Sequence, residues 1–156
     1  IVEWFRIARA SGFHLPVALQ PHYNLVERDF ETNGLRDVAE REGLAVFPYF
    51  ALAKGFLSGK YRAADDATAT GASPRAGEAV GYLDDRGRAV LDALDEVSAS
   101  HQVSVAAVAL AWLRAQPTVA APIASARSTS QLPALLDSIT LTLTVGELRR
   151  LTAASA

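Results

Sequence analysis

The chain has 156 residues, half of them apolar and 21% charged, with a formal net charge of −2 and neither cysteine nor methionine. That size suits one domain with a sizeable core, and the near-neutral balance gives no electrostatic reason to expect nucleic acid or an anionic membrane as a partner. The lack of cysteine excludes disulfides, thiolate catalysis and sulfur-ligated metals, and no apolar run reaches the length of a membrane span.

Residues 1–11 (IVEWFRIARAS) place Ile1, Trp4, Phe5 and Ala8 on one helical face and then meet Gly12, so a short helix is predicted first. Val17 to Tyr23 (VALQPHY), bounded by Pro16 and the turn-prone Asn24, reads as a buried strand. Residues 33–42 (NGLRDVAERE) space Leu35, Val38 and Ala39 as a helix does, with Gly43 as the stop. Leu44 to Phe50 (LAVFPYF) reads as a second buried strand. Residues 62–80 are rich in Ala, Gly, Asp, Thr and Ser and read as one long loop, which at that length is functional or disordered. Two helices follow, over 85–100 and over 104–116, the second opening on the cap Ser104. Val119 to Ala124 (VAAPIA) is a third buried strand. Ser128 with Gln131 spells a capping box for a helix reaching about Ser138, and Thr144 with Glu147 spells another for the last helix.

Strands of nearly continuous apolar character alternating with helices indicate an α/β fold of parallel units covered on both faces. Three strands cannot close a sheet. A (β/α)8 TIM barrel takes about 250 residues, and this pattern matches roughly its last three units. A free half-barrel would leave sheet edges and an apolar interior exposed. Further chain on the N-terminal side, or self-association, is therefore expected, and a sequence opening on Ile1 without any methionine reads as a piece of something longer. No secretory leader is present, so a cytoplasmic location is the default expectation.

Five strings, in order, carry a family resemblance: LQPHYNLVERDFE (19–31), GLAVFPYFALAKGFLSGKYR (43–62), SPRA (73–76), VALAWLRAQPTVAAPIASARS (108–128) and LTLTVGELRRLTAASA (141–156). The chain resembles the C-terminal half of the aldo-keto reductases, in their bacterial and potassium-channel β-subunit-like branches. On that resemblance the three strands are the sixth to eighth of the barrel, and ligands sit at their C-terminal ends. The resemblance implies NADP(H) as cofactor and a small-molecule carbonyl compound as substrate.

It also implies roles for particular residues. Gln20 stands where the family's glutamine hydrogen-bonds the nicotinamide carboxamide, a task suited to a group that both donates and accepts; the alternative is a glutamine satisfying backbone groups inside the barrel. Tyr49 stands where an aromatic ring lies against the nicotinamide, the alternative being a core tyrosine. Ala51, Leu52, Ala53 and Lys54, with Gly55, match the turn that wraps the pyrophosphate, where small residues let main-chain N–H groups approach an anion. Lys60, after Gly59, matches a lysine that adds a point charge to the phosphates, although most lysines are merely solvated. Phe50 departs from the family, whose members usually place serine there, so a hydroxyl contact is in doubt. Arg75, in SPRA, matches an arginine in the loop that folds over the dinucleotide; otherwise it is an exposed loop residue. Ser125, Arg127 and Gln131 match the surroundings of the adenosine 2′-phosphate, with Arg127 selecting NADPH through charge-assisted bonds. Gln131 doubles as the third helical position of the Ser128 box. Ala134 and Leu135 stand where relatives often have Glu and Asn, so adenine recognition is weaker or differently built.

The family's proton-donating set (a tyrosine tuned by a lysine, an aspartate and a histidine) lies on earlier strands and has no match here, so no catalytic residue is expected in this segment. His14 and His101 read as solvated, and His22 as structural though near the presumed site. Asp84 and Asp85 read as first-turn helix acids. No metal-ligand spacing appears. Three readings stand: the cofactor-binding portion of a carbonyl-reducing aldo-keto reductase, a non-catalytic NADP(H)-binding sensor or regulatory module, and an inactive truncated product.

Overall fold

In the computed structural model, which describes residues 1–69 and 73–156, helix α1 (Val2–Ser11) ends at Gly12, whose left-handed φ of 69° lets its N–H turn back to the Ala8 carbonyl. Only Phe5 and Ala8 of this helix are buried. Trp4 is 63% exposed and Ile1 is exposed as well, so the apolar face read from the sequence is divided between core and solvent.

Strands β1 (Ala18–Leu19) and β2 (Ala45–Val46) pair in parallel, Ala18 with Ala45 and Leu19 with Val46. The ladder runs past both, with the N–H groups of Ala45, Phe47 and Tyr49 donating to the carbonyls of Val17, Leu19 and Pro21 at 2.9 to 3.0 Å. A parallel bridge between His22 and Tyr49 ends it. On the other side of β2, Val46 N–H donates to the Thr118 carbonyl at 3.0 Å and Ala120 N–H to the Val46 carbonyl at 2.8 Å. Ile123 N–H donates to the Pro48 carbonyl at 2.8 Å. Each segment contains a proline (Pro21, Pro48, Pro122) that has no N–H to give, which is why regular pairing contracts to two residues in β1 and β2 and to one bridge, Val46 with Val119, in the third.

Only the β2 segment has a fully buried face, and the third segment, expected as a buried strand over 119–124, has no buried residue, with Ile123 41% exposed. Leu44, Val46 and Pro48 are buried, while Ala45 and Phe47 are partly covered and Tyr49 is 38% exposed. Val17, read as part of a buried strand, is 78% exposed. The alternation means that helices cover one side of the sheet while the other, among the described residues, is only partly covered. The result is an open arc of parallel βα units, an incomplete (β/α) barrel.

Helix α3 (Leu35–Glu42) follows a single turn, α2 (Asp29–Thr32), that periodicity did not reveal. The expected long loop over 62–80 holds short helical pieces: a 3₁₀ turn at Ala64–Ala67, α4 (Ala76–Ala79) and a 3₁₀ turn at Val80–Tyr82. Its residues 70–72 lie outside the described residues. Helix α5 (Asp85–His101) is capped by Asp84, whose Oδ1 accepts from Gly87 N–H at 2.6 Å. Gly87 is obligatory there, because a Cβ would collide with the Tyr82 carbonyl oxygen. Helix α6 (Val105–Arg114) is capped by Ser104 and packs against both α5 and α7 (Leu132–Thr140), and α8 (Val145–Ala154) packs on α5. Buried Phe5, Tyr23, Val46, Phe56, Leu94, Trp112 and Leu151 belong to one core.

The Thr144–Glu147 capping box forms: Glu147 N–H donates to Thr144 Oγ at 3.3 Å, and Thr144 N–H donates to Glu147 Oε2 at 2.7 Å. The Ser128 box does not. A 3₁₀ turn at Thr129–Gln131 comes first, and α7 starts at Leu132 with Pro133 in its opening turn, where a missing N–H costs nothing. Gln131 therefore precedes the helix, and its Oε1 accepts from Arg127 N–H at 2.7 Å instead. His101 is another correction. Expected in solvent, its Nε2 lies 2.7 Å from Glu147 Oε1, where it joins the end of α5 to the start of α8.

A second staple binds the segment after β1 to α8. Tyr23 Oη donates to Glu31 Oε1 at 2.7 Å, and the Arg28 guanidinium forks onto the same carboxylate at 2.7 and 2.8 Å. Arg28 Nη1 also donates to the Thr152 carbonyl at 2.9 Å. Burial pushes the Glu31 carboxyl up, but the bonds from Arg28 and Tyr23 outweigh it and hold the group below its ordinary value. Burial, then the Glu31 bond, pushes the Tyr23 phenol up. Among the described residues, no helix is long and apolar enough to cross a membrane.

Candidate functional site

The C-terminal ends of the three parallel segments lie side by side, and a cleft of about 520 Å³ opens beside the second and third. The chain leaves β2 through an unusual run of left-handed backbone: Phe50, Ala53 and Lys54 have φ of 52°, 47° and 59°, and Gly55 has 103°. Bulky or β-carbon-bearing residues avoid this region, so the turn is strained and must be held by its surroundings. Asn24 is one such holder. It is fully buried, its Nδ2 donates to the Phe50 carbonyl at 2.9 Å, and its Oδ1 accepts from Val26 and Glu27 N–H groups at 2.9 and 3.0 Å. The sequence marked Asn24 only as turn-prone. Nothing periodic could show that it supports a loop 26 residues away.

Ala51, Leu52, Lys54 and Lys60 line one wall of the cleft, with Gly55 and Ser58. Ser125, Arg127 and Gln131 line the facing wall, beside Ile123 and Ala124. Tyr49 and Phe50 stand at its strand end, Arg75 with Ser73 comes from the loop before α4, and Ser104 brings the N-terminus of α6 to the rim. Two residues singled out in the sequence stand apart. Gln20 is exposed and does not line the cleft. Ala53 is wholly buried and its N–H closes the turn onto the Phe50 carbonyl at 2.7 Å. Gly55 N–H likewise donates to the Leu52 carbonyl at 2.8 Å, so these two amides serve the turn itself.

Among the described residues, four cations line the cleft (Lys54, Lys60, Arg75 and Arg127) and no carboxylate or imidazole does. In a chain of net charge −2 this is a local concentration of positive charge, with hydroxyls from Ser58, Ser73, Ser104 and Ser125 between the cations. Glu78 of α4 pairs with Lys54, raising the lysine from its ordinary value while its own carboxyl is lowered. The Lys60 ammonium sits 4.8 Å above the Tyr61 ring. Tyr49 stacks on His22 with centroids 5.1 Å apart and planes 18° from parallel, and meets the edge of Phe50 at 5.2 Å. His22 is thus a ring support for Tyr49, and its buried Nε2 has no hydrogen-bond partner among the described residues. An arrangement with a flat ring at one end and cations along both walls suits a ligand that is aromatic at one end and polyanionic along its length.

The profile of the Aldo/keto reductase family matches residues 2–156. The Escherichia coli (strain K12) protein named Protein tas is 30% identical over 149 residues, 92% of this chain and 41% of that protein. An aldo-keto reductase of Babesia bovis is 28% identical over 84% of this chain and 47% of its own length. Norsolorinic acid reductase of Aspergillus flavus is 25% identical over 97% of this chain and 36% of itself. The chain thus spans less than half the length of these relatives. The crystal structure of a thermostable aldo-keto reductase in complex with the inhibitor epalrestat superposes with a TM-score of 0.66 at 21% identity, covering 96% of this chain and 43% of that one. The arc of parallel βα units is therefore a portion of an aldo-keto reductase barrel, and the chain belongs to the aldo/keto reductase family of oxidoreductases.

Proposed function

We propose that this chain is the dinucleotide-binding portion of an NADP(H)-dependent aldo-keto reductase that converts aldehydes or ketones to alcohols. The observation that carries the proposal is the cleft at the strand ends, where Lys54, Lys60, Arg75 and Arg127 converge and, among the described residues, no carboxylate joins the lining. Such a lining attracts phosphates by Coulomb interaction and charge-assisted hydrogen bonds. In this reading Tyr49, braced by His22, orients the nicotinamide, and Lys54, Lys60 and Arg75 neutralise the diphosphate. Arg127 takes the 2′-phosphate, on a loop that Gln131 braces through the Arg127 N–H. When bound, the reduced nicotinamide supplies the hydride. The residues of this chain hold and orient it, and the proton donor comes from elsewhere in the barrel. Residues 1–156 would then be the C-terminal part of one barrel domain, with the remaining strands or a second copy covering the open face.

The test is Arg127→Glu in the full polypeptide that carries this sequence, read by calorimetric titration. NADPH affinity should fall roughly tenfold to a hundredfold, the worth of a charge-assisted bond or two, while NADH affinity holds. Equal losses for both nucleotides would remove Arg127 from the 2′-phosphate site.

A further inference from the structure

Phe50 sits in a conformation that phenylalanine ordinarily avoids, with φ at 52°, and two cations lie over its ring. The Lys54 ammonium lies 5.4 Å from the ring centroid and the Arg75 guanidinium lies 5.2 Å from it. These are two of the four cations that line the cleft. They reach the ring from different directions in the chain, Lys54 four residues on and Arg75 from the loop before α4, 25 residues away. The ring is itself fixed, edge-on to Tyr49 at 5.2 Å and at 73° to His22 at 5.5 Å. Its backbone is fixed by the bond from buried Asn24 to its carbonyl. An aromatic face attracts a cation through its quadrupole, and a face held on both sides pays no further ordering cost when the cation docks. Glu78 pairs with Lys54 and attracts Arg75 by charge, but Arg75 makes no direct ion pair among the described residues, and the Phe50 ring is the contact its head group rests on.

We propose that Phe50 is a positioning residue: its ring preorganises Lys54 and Arg75 at the mouth of the cleft, so that the Arg75 head group is in place at the anion site before any ligand arrives. The inference rests on the dinucleotide reading for the identity of the anion, but the seating of Arg75 is a property of the chain alone. Two cation–π contacts at a partly exposed site amount to roughly fivefold to thirtyfold in the affinity of an anion that needs both cations. A merely space-filling Phe50 would tolerate leucine. A positioning one needs an aromatic face.

The experiment compares the full polypeptide with its Phe50→Leu and Phe50→Trp variants. The first readout needs no cofactor: the rate at which trypsin cuts between Arg75 and Ala76, followed by mass spectrometry, with the cut after Arg114 as a gauge of global opening. The expected result is a several-fold faster cut after Arg75 in Phe50→Leu, no change after Arg114, and a return to the parent rate in Phe50→Trp. An unchanged rate in Phe50→Leu, an equal rise at both bonds, or no recovery in Phe50→Trp would each overturn the proposal. The second readout is NADPH titration, where Phe50→Leu should weaken binding about fivefold or more and Phe50→Trp should restore it. The two readings fail separately. No binding of NADPH by the parent protein sinks the dinucleotide reading, whereas trypsin protection that ignores residue 50 sinks this one.

Discussion

Helices α6 and α7 lie against each other and are both rich in aliphatic residues, valine, alanine and leucine in the first and leucine and isoleucine in the second, yet they have opposite fates. Every residue of α6 from Ala106 to Leu113 is buried, enclosed by α5, α7 and the turn that follows β2. In α7 only Ser138 is buried, while Leu132, Leu136 and Ile139 stand in solvent. An apolar helix is a request for cover, and the number of neighbours decides whether it is met. α6 lies within the arc of units. α7 belongs to the last of them and, among the described residues, packs chiefly on α6. The same contrast holds between the covered and partly covered faces of the β2 segment, and between Phe5 and Trp4 on α1.

The sharpest way to break this comparison is a pair of truncations read by urea unfolding. Trp112 is fully buried, and its Nε1 donates to Thr152 Oγ1 at 3.0 Å. Trp112→Ala should cost about 3 to 5 kcal/mol through lost burial and a cavity. Leu136→Ala should cost under about 0.5 kcal/mol. A loss at Leu136 comparable to that at Trp112 would mean that the α7 face is covered in solution.

The next effect in size concerns Glu31. Because its carboxyl is held below the ordinary value, its contribution is complete above about pH 4.5 and disappears as pH falls through the lowered folded value. Glu31→Gln should cost about 2 kcal/mol at neutral pH, the scale of hydrogen bonds to a charged group, and should flatten the acid limb of stability against pH. A limb of unchanged steepness would show that other carboxylates govern acid unfolding.

The smallest effects distinguish the two capping boxes. Thr144→Ala should destabilise by about 1 kcal/mol because its hydroxyl accepts from Glu147 N–H. Ser128→Ala should change stability by less than about 0.5 kcal/mol, since its hydroxyl meets only that of Ser130. Equal losses at the two positions would return Ser128 to the role that its spacing suggests.

The helices were legible because they are written locally. Gly12 and Gly43 end them, Ser104 and Thr144 cap them, and the spacing of Leu35, Val38 and Ala39 marks the covered face of α3. The order of elements was enough to read parallel βα units. The strands were legible as apolar runs, but not as surfaces with one partly covered side, because a strand does not record whether a further strand closes the ring. The Ser128 box failed for a local reason that competed with another: Pro133 sets the start of α7 one turn later. The candidate site was visible through family strings that bring Tyr49, Lys54, Arg75 and Arg127 onto one list. Their convergence on one cleft depends on parallel strands ending together.

By itself, then, the sequence determined the kinds of element, most of their ends and the family, because caps, glycines and periodicity act within a few residues of where they are written. Tertiary structure alone decided which apolar faces are covered, that buried Asn24 holds the strained Phe50 turn, that Ala53 turns inward, and that Arg75 rests on the Phe50 ring. The Asn24 and Arg75 contacts join groups 25 residues or more apart in the chain, and no local pattern encodes such a meeting.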